Sequence, residues 1–221
     1  EINRRVTDSI SKIIFTATRT DYDNLIKENF QKSRVKLVGD LMKDSLLFTM
    51  QSNNISVNRG DYSVCTIHRQ ENVESKNRLE NIIKTLLLSG KKIVFPAHPR
   101  TLKKIKAYGL LKLLKNSNIE LVEPKGYMDF IRLLSQANKV ITDSGGVRRE
   151  AYILGKPIIL LIDLIWFPEI HYAGWAYIAD DDRAKIIFGI EEFEPPQKEK
   201  PIVFGNGDAH KKIVNDIEIY L

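Results

Sequence analysis

The chain has 221 residues, 43% of them hydrophobic, enough to bury a full core, which excludes disorder and collagen-like assembly. Its formal charge of +6 comes from 34 basic residues interleaved with 28 acids, a balance that suits an anionic ligand but argues against nucleic acid as a partner. The longest apolar runs, such as Ile158 to Phe167, are too short and interrupted to span a membrane, and no secretory leader opens the sequence, so a soluble cytoplasmic protein is expected.

Helical spacing in NRRVTDSISK gives way to a strand-like IIFTAT, a helix over DYDNLIKENF, a strand RVKLV and a helix DLMKDSLLFTM. The polar, Asn- and Ser-rich stretch Gln51–Asp61 then reads as a linker. Beyond it come the strand YSVCTI, the helix NRLENIIKTLLLSG ending on Gly90, the strand KKIVFP, a helical segment from Thr101 broken at Gly109, and the strand IELVEP. The helix YMDFIRLLSQA, the strand KVITD, a helix from about Gly146 to Leu154 and the strand KPIILLI follow. Strand–helix alternation with short connections predicts α/β architecture with a parallel sheet and right-handed crossovers. The boundary is placed in the linker: residues 1–55 form the tail of one α/β domain, and 56–221, C-terminal helix included, form a complete second one. Cys65, the only cysteine, lies in an apolar run; without a second thiol it offers neither an internal disulfide nor a metal site, and no metal is expected.

Chemistry concentrates in TDSGGVRREAYILGKP, Thr142 to Pro157. A strand, then Ser144-Gly145-Gly146, then a helix places this turn at a strand's carboxyl end, where open α/β sheets bind ligands. The glycines let the backbone approach an anion, the free N–H groups of the helix start point at it, and the Ser144 hydroxyl adds a donor, so a phosphate fits. Glu150 follows Gly146 by four residues, on the same helix face, where a carboxylate can accept both hydroxyls of a ribose. The plainer alternative stays open: Ser144 caps the helix and the glycines turn the chain. His68 and Arg69, in CTIHRQEN, follow another strand and face the same side, where His68 could protonate a leaving phosphate. His98 and Arg100 also follow a strand, but Pro96 and Pro99 favour a rigid turn there. Phe130 either packs on a base or enters the core.

Together, EINRRVTD, TIHRQEN, PAHPRT, EPKGYMDF, TDSGGVRREAYILGKP and FGNGDAHKKI resemble, in order and spacing, the non-hydrolysing UDP-N-acetylglucosamine 2-epimerases over nearly the whole chain. The resemblance implies two Rossmann-like domains in the glycosyltransferase-B arrangement, with this chain carrying the UDP-binding half and a remnant of the first domain. It implies epimerisation at C2 by elimination of UDP and re-addition, with no added cofactor, in a cytoplasmic homodimer that binds a UDP-sugar and neither nucleic acid nor membrane. Carried over by position, Ser144, Gly145 and Gly146 would hold the diphosphate, Glu150 the ribose and Phe130 the uracil region. His68 would receive the departing UDP as the catalytic residue, with Arg69 beside it as a binding residue. Glu1 matches the second glutamate of a Pro-Glu-Glu segment whose first is catalytic, so the chain by itself is expected not to turn over. It departs from the family at Arg148 and Arg149, where Gln-Glu is usual, and at Ile162 and Phe167, where arginines are usual; Pro168 and Glu169 are kept. Another UDP-sugar epimerase or glycosyltransferase on the same scaffold, and a non-catalytic nucleotide-sugar binder, remain alternatives.

Overall fold

The computed structural model describes residues 2–219, so the match made at Glu1 lies outside the described residues. Two compact units divide the chain: Glu1–Phe48 with Lys200–Leu221, and Thr49–Glu199. The first begins with α1 (Ile2–Ile10), β1 (Ile14–Thr16), α2 (Arg19–Lys27), β2 (Val35–Leu37) and α3 (Leu41–Ser52), the last of which runs past the division. β1 and β2 pair in parallel with Ile14 opposite Val35, and Leu25 of α2 packs against both. α2 starts where Thr18 and Asp21 cap each other: Thr18 Oγ1 accepts from Asp21 N at 3.1 Å, and Asp21 Oδ2 accepts from Thr18 N at 3.2 Å.

The second unit runs β3 (Ser63–Thr66), α4 (Gln70–Glu74), α5 (Lys76–Leu88), β4 (Ile93–Pro96), α6 (Pro99–Ala107), α7 (Leu111–Leu114) and β5 (Ile119–Val122). It continues with α8 (Tyr127–Ser135), β6 (Val140–Thr142), α9 (Gly145–Ile153), β7 (Ile158–Leu160), α10 (Pro168–Tyr172), β8 (Ala176–Ile178) and α11 (Arg183–Glu191). Six strands form one parallel sheet in the order β5-β4-β3-β6-β7-β8. Such strands are covered on both faces, which is why β3, β4, β6 and β7 are mostly apolar and are buried at every position. α5 contributes Leu79, Ile82, Ile83 and Leu86, spaced i, i+3, i+4, i+7, to the core, each fully buried side chain contributing roughly 1.5–3 kcal/mol. Gly109 takes φ +74° and separates α6 from α7, so the break lies where the sequence puts it.

Sequence and structure differ at the chain's end. The expected second domain, 56–221, includes the C-terminal helix, whereas α12 (Ala209–Glu218) belongs to the first compact unit. The cause is long-range docking. Asp40 N donates to Phe204 O at 3.2 Å, Lys43 Nζ donates to Gly205 O at 2.6 Å, and Asp44 Oδ2 accepts from His210 N at 2.7 Å. A side chain at Gly39 or Gly205 would collide with the other's backbone, at 3.3 and 3.0 Å. The division also falls at Thr49, inside α3, rather than in the linker after it.

Candidate functional site

Strand order reverses between β3 and β6, which lie side by side although β4 and β5 intervene in the chain. At such a point the two connecting loops leave in opposite directions and open a crevice beyond the strand ends. Residues His68–Asn72 leave β3 there, and Asp143–Gly146 leave β6. Thr66 and Thr142, paired in register, join the strand ends through hydroxyls 2.6 Å apart, and Thr142 Oγ1 also accepts from Ser144 N at 2.9 Å.

Asp143, fully buried, organises this crevice. Its carboxylate accepts from His68 N at 3.1 Å, Arg69 N at 3.0 Å and Asn72 Nδ2 at 2.9 Å, while its carbonyl accepts from Arg69 Nε at 2.8 Å. Asn72 also donates to Leu161 O at 2.8 Å and accepts from Arg78 Nε at 2.5 Å; Arg78 in turn pairs with Asp180. One residue thus fixes both: its carboxylate sets the chain direction after β3, and its main-chain carbonyl holds the Arg69 side chain. The His68 imidazole is left half-exposed, its Nε2 3.8 Å from Asp143 Oδ1, free to meet a ligand.

On the β6 side, Ser144 Oγ accepts from Val147 N at 3.3 Å and so does cap α9, while its proton remains available to donate. Cap and anion site are therefore compatible. Gly145 opens the helix with Trp166 against it: a Cβ there would lie 3.4 Å from the indole ring. Arg69 lies over the other part of this contact, its guanidinium carbon 3.8 Å from the Trp166 ring centroid. One turn along α9, Glu150 is 5% exposed. Burial pushes its carboxyl up to about 7, against the opposing effects of a hydrogen bond from Tyr127 and the charge of Arg149.

A cavity of about 160 Å³ lies beside these groups, lined by Thr66, His68, His98, Phe130 and Val147 among others, and scaled to a ring rather than to a whole nucleotide. Phe130 is half-buried at its wall, so it enters neither the core proper nor open solvent. The structure thus brings His68, Arg69, Phe130, Ser144, Gly145, Gly146 and Glu150 to one end of one sheet. His98 serves as a helix cap, its Nδ1 accepting from Arg100 N at 3.2 Å, and Arg100 pairs with Glu74 at 2.8 Å. Sequence reasoning missed Asp143, Asn72 and Trp166. A signal existed for the first: an acid directly after a buried strand is tolerated there only when paired. Of the departures, Ile162 is buried, Phe167 takes the left-handed φ of 54°, and Arg148 is buried beneath the segment that follows β7.

Residues 1–218 match the model of the UDP-N-acetylglucosamine 2-epimerase family. A UDP-N-acetylglucosamine 2-epimerase homolog of Methanococcus maripaludis is 38% identical over 224 residues, covering 97% of this chain and 62% of its own length. A crystal structure of the Methanocaldococcus jannaschii UDP-GlcNAc 2-epimerase in complex with UDP-GlcNAc and UDP is similar with a TM-score of 0.88 at 33% identity, covering 99% of this chain and 64% of that one. A UDP-2,3-diacetamido-2,3-dideoxy-D-glucuronate 2-epimerase of Pseudomonas aeruginosa is 37% identical over 182 residues, 79% of this chain and 50% of its own length. The chain therefore spans under two thirds of each of these relatives.

Proposed function

The chain belongs to the UDP-N-acetylglucosamine 2-epimerase family, and from that premise we propose that it carries the UDP-binding half of an enzyme interconverting UDP-GlcNAc and its C2 epimer. The observation that carries this reading is the placement of Glu150. A buried carboxylate one helical turn beyond a Ser-Gly-Gly helix start, on the helix whose Val147 lines a ring-sized cavity, supports a ribose, a diphosphate and a base bound at the same end of the sheet.

In the proposed reaction, a base removes the C2 proton, the electron pair forms the C1–C2 double bond, and the C1–O bond breaks to release UDP. UDP then returns to C1 as a proton is added to C2 from the opposite face. This chain's residues act on the leaving group. Donors at the start of α9 and the Arg69 guanidinium stabilise the charge that grows on UDP, and His68, held in place by its backbone bond to Asp143, supplies a proton or hydrogen bond to the departing phosphate. The same reading makes the protein a cytoplasmic homodimer that needs no added redox cofactor. Among the described residues no helix is long and apolar enough to cross a membrane.

The Pseudomonas relative supports a second reading, a 2-epimerase for a UDP-hexuronate, in which the sugar brings a further carboxylate. Calorimetric titration with UDP tests the reading that both share: saturable micromolar-to-millimolar binding is expected. A folded sample that gives no heat with millimolar UDP overturns it.

A further inference from the structure

Arg148 is among the largest fully buried side chains of the protein, 1% exposed. Its Nη1 donates to Trp166 O at 2.7 Å, but its Nε and Nη2 are buried without a partner. Among the described residues no carboxylate makes an ion pair with it. The neighbouring charge is another cation, Arg69, and burial together with that neighbour pulls the Arg148 guanidinium down to about 10. Asp143, the acid closest to this corner in the hydrogen-bond network, is already committed to His68 N, Arg69 N and Asn72. Two neighbouring guanidiniums with no acid between them leave unmet positive charge that a bound anion would offset. The corner is also the start of α9, whose first-turn N–H groups lack helical partners, with Gly145 beneath the Trp166 ring that Arg69 covers.

We propose that Arg148 is a diphosphate-binding residue which, with Arg69, clamps the anion at the start of α9. The proposal rests on the UDP reading for the identity of the ligand, but not for the existence of the anion site. Two planar forks suit the several oxygens of a diphosphate, which a lysine's point charge does not match.

The test titrates the chain and its Arg148→Gln and Arg148→Lys variants with inorganic pyrophosphate, UDP and uridine, alongside thermal melting. Arg148→Gln is expected to weaken pyrophosphate and UDP alike by at least tenfold, leave uridine unchanged, and keep or raise the melting temperature, since an unpaired buried charge is removed. Arg148→Lys is expected to retain part of the affinity. Pyrophosphate affinity of folded Arg148→Gln within twofold of wild type overturns the clamp, as does wild-type protein that binds no pyrophosphate. If Arg148→Gln does not fold, Arg148→Lys decides instead: at least a threefold loss for pyrophosphate supports the clamp, and no loss overturns it. Failure of the UDP reading looks different, with pyrophosphate bound in an Arg148-dependent way and UDP bound no more tightly than pyrophosphate.

Discussion

On the β3 side of the crevice, Asp143 accepts three N–H groups, Asn72 is satisfied from two directions, and two threonine hydroxyls bridge the strands. On the β7 side, Arg148 keeps unpartnered N–H groups, and Phe167 holds a left-handed backbone that costs a non-glycine residue about 1–2 kcal/mol. The first wall completes its own hydrogen bonding from within the chain. The second carries unmet charge and strain that a ligand can offset. A site divided in this way aims its donors before the ligand arrives and reserves adjustment for the segment that covers it.

The contrast is broken most directly at Asp143. Asp143→Ala strips several buried donors of their acceptor at once and is expected to cost on the order of 3–5 kcal/mol in urea unfolding. A loss below about 1 kcal/mol would mean that the β3 wall is not held by this carboxylate. Glu150, buried on α9, makes stability depend on pH. Its carboxyl titrates near 7 folded against 4.5 unfolded, so burial carries no penalty below about pH 4.5, and stability falls as pH rises through 7. Glu150→Gln should therefore match wild type near pH 4 and exceed it by about 3 kcal/mol above pH 8. The same variant should lose roughly 1.5–3 kcal/mol of UDP affinity while keeping pyrophosphate; equal loss for both ligands would make Glu150 a structural residue of α9.

Smaller effects sharpen the picture. Thr66→Val removes one hydroxyl from the β3–β6 bridge while Thr142 still accepts from Ser144, so a loss of about 1 kcal/mol is expected from thermal melts. His68→Asn should leave stability within about 0.5 kcal/mol, because the imidazole is half-exposed and its backbone bond survives. In the protein that carries this chain, the variant should slow C2 proton exchange in heavy water more than it weakens UDP. Unchanged exchange would remove His68 from the reaction.

The central strands were legible because full burial leaves short runs of β-branched and apolar residues, as Val140–Thr142 and Ile158–Leu161 do, and the turn at Ser144 was legible because glycine pairs are local signals. α10 and β8 were not: α10 has only five residues and starts after a phenylalanine in a conformation usually left to glycine, and β8, an edge strand, is fully buried only at its first residue. The place of α12 was hidden because it depends on Phe204 and Gly205 meeting Gly39 and Asp40, a contact between opposite ends of the chain. Arg148 was visible as a charge, but its burial was not: helical spacing tells which face a residue occupies, not what later folds over that face.

The β3–β6 pairing has a consequence for how the molecule is made. Val64 and Val140, paired in register, are 76 positions apart, so during synthesis β3 waits with one edge open until the residues through β6 have emerged. At roughly 5–20 residues per second, that interval is on the order of ten seconds on the ribosome. Until it closes, an apolar strand edge is available to neighbouring chains, and no part of the crevice between β3 and β6 exists, because its two loops have not met. Substitutions that delay this pairing should therefore appear first as lower yield of soluble protein, with normal affinity in the molecules that escape.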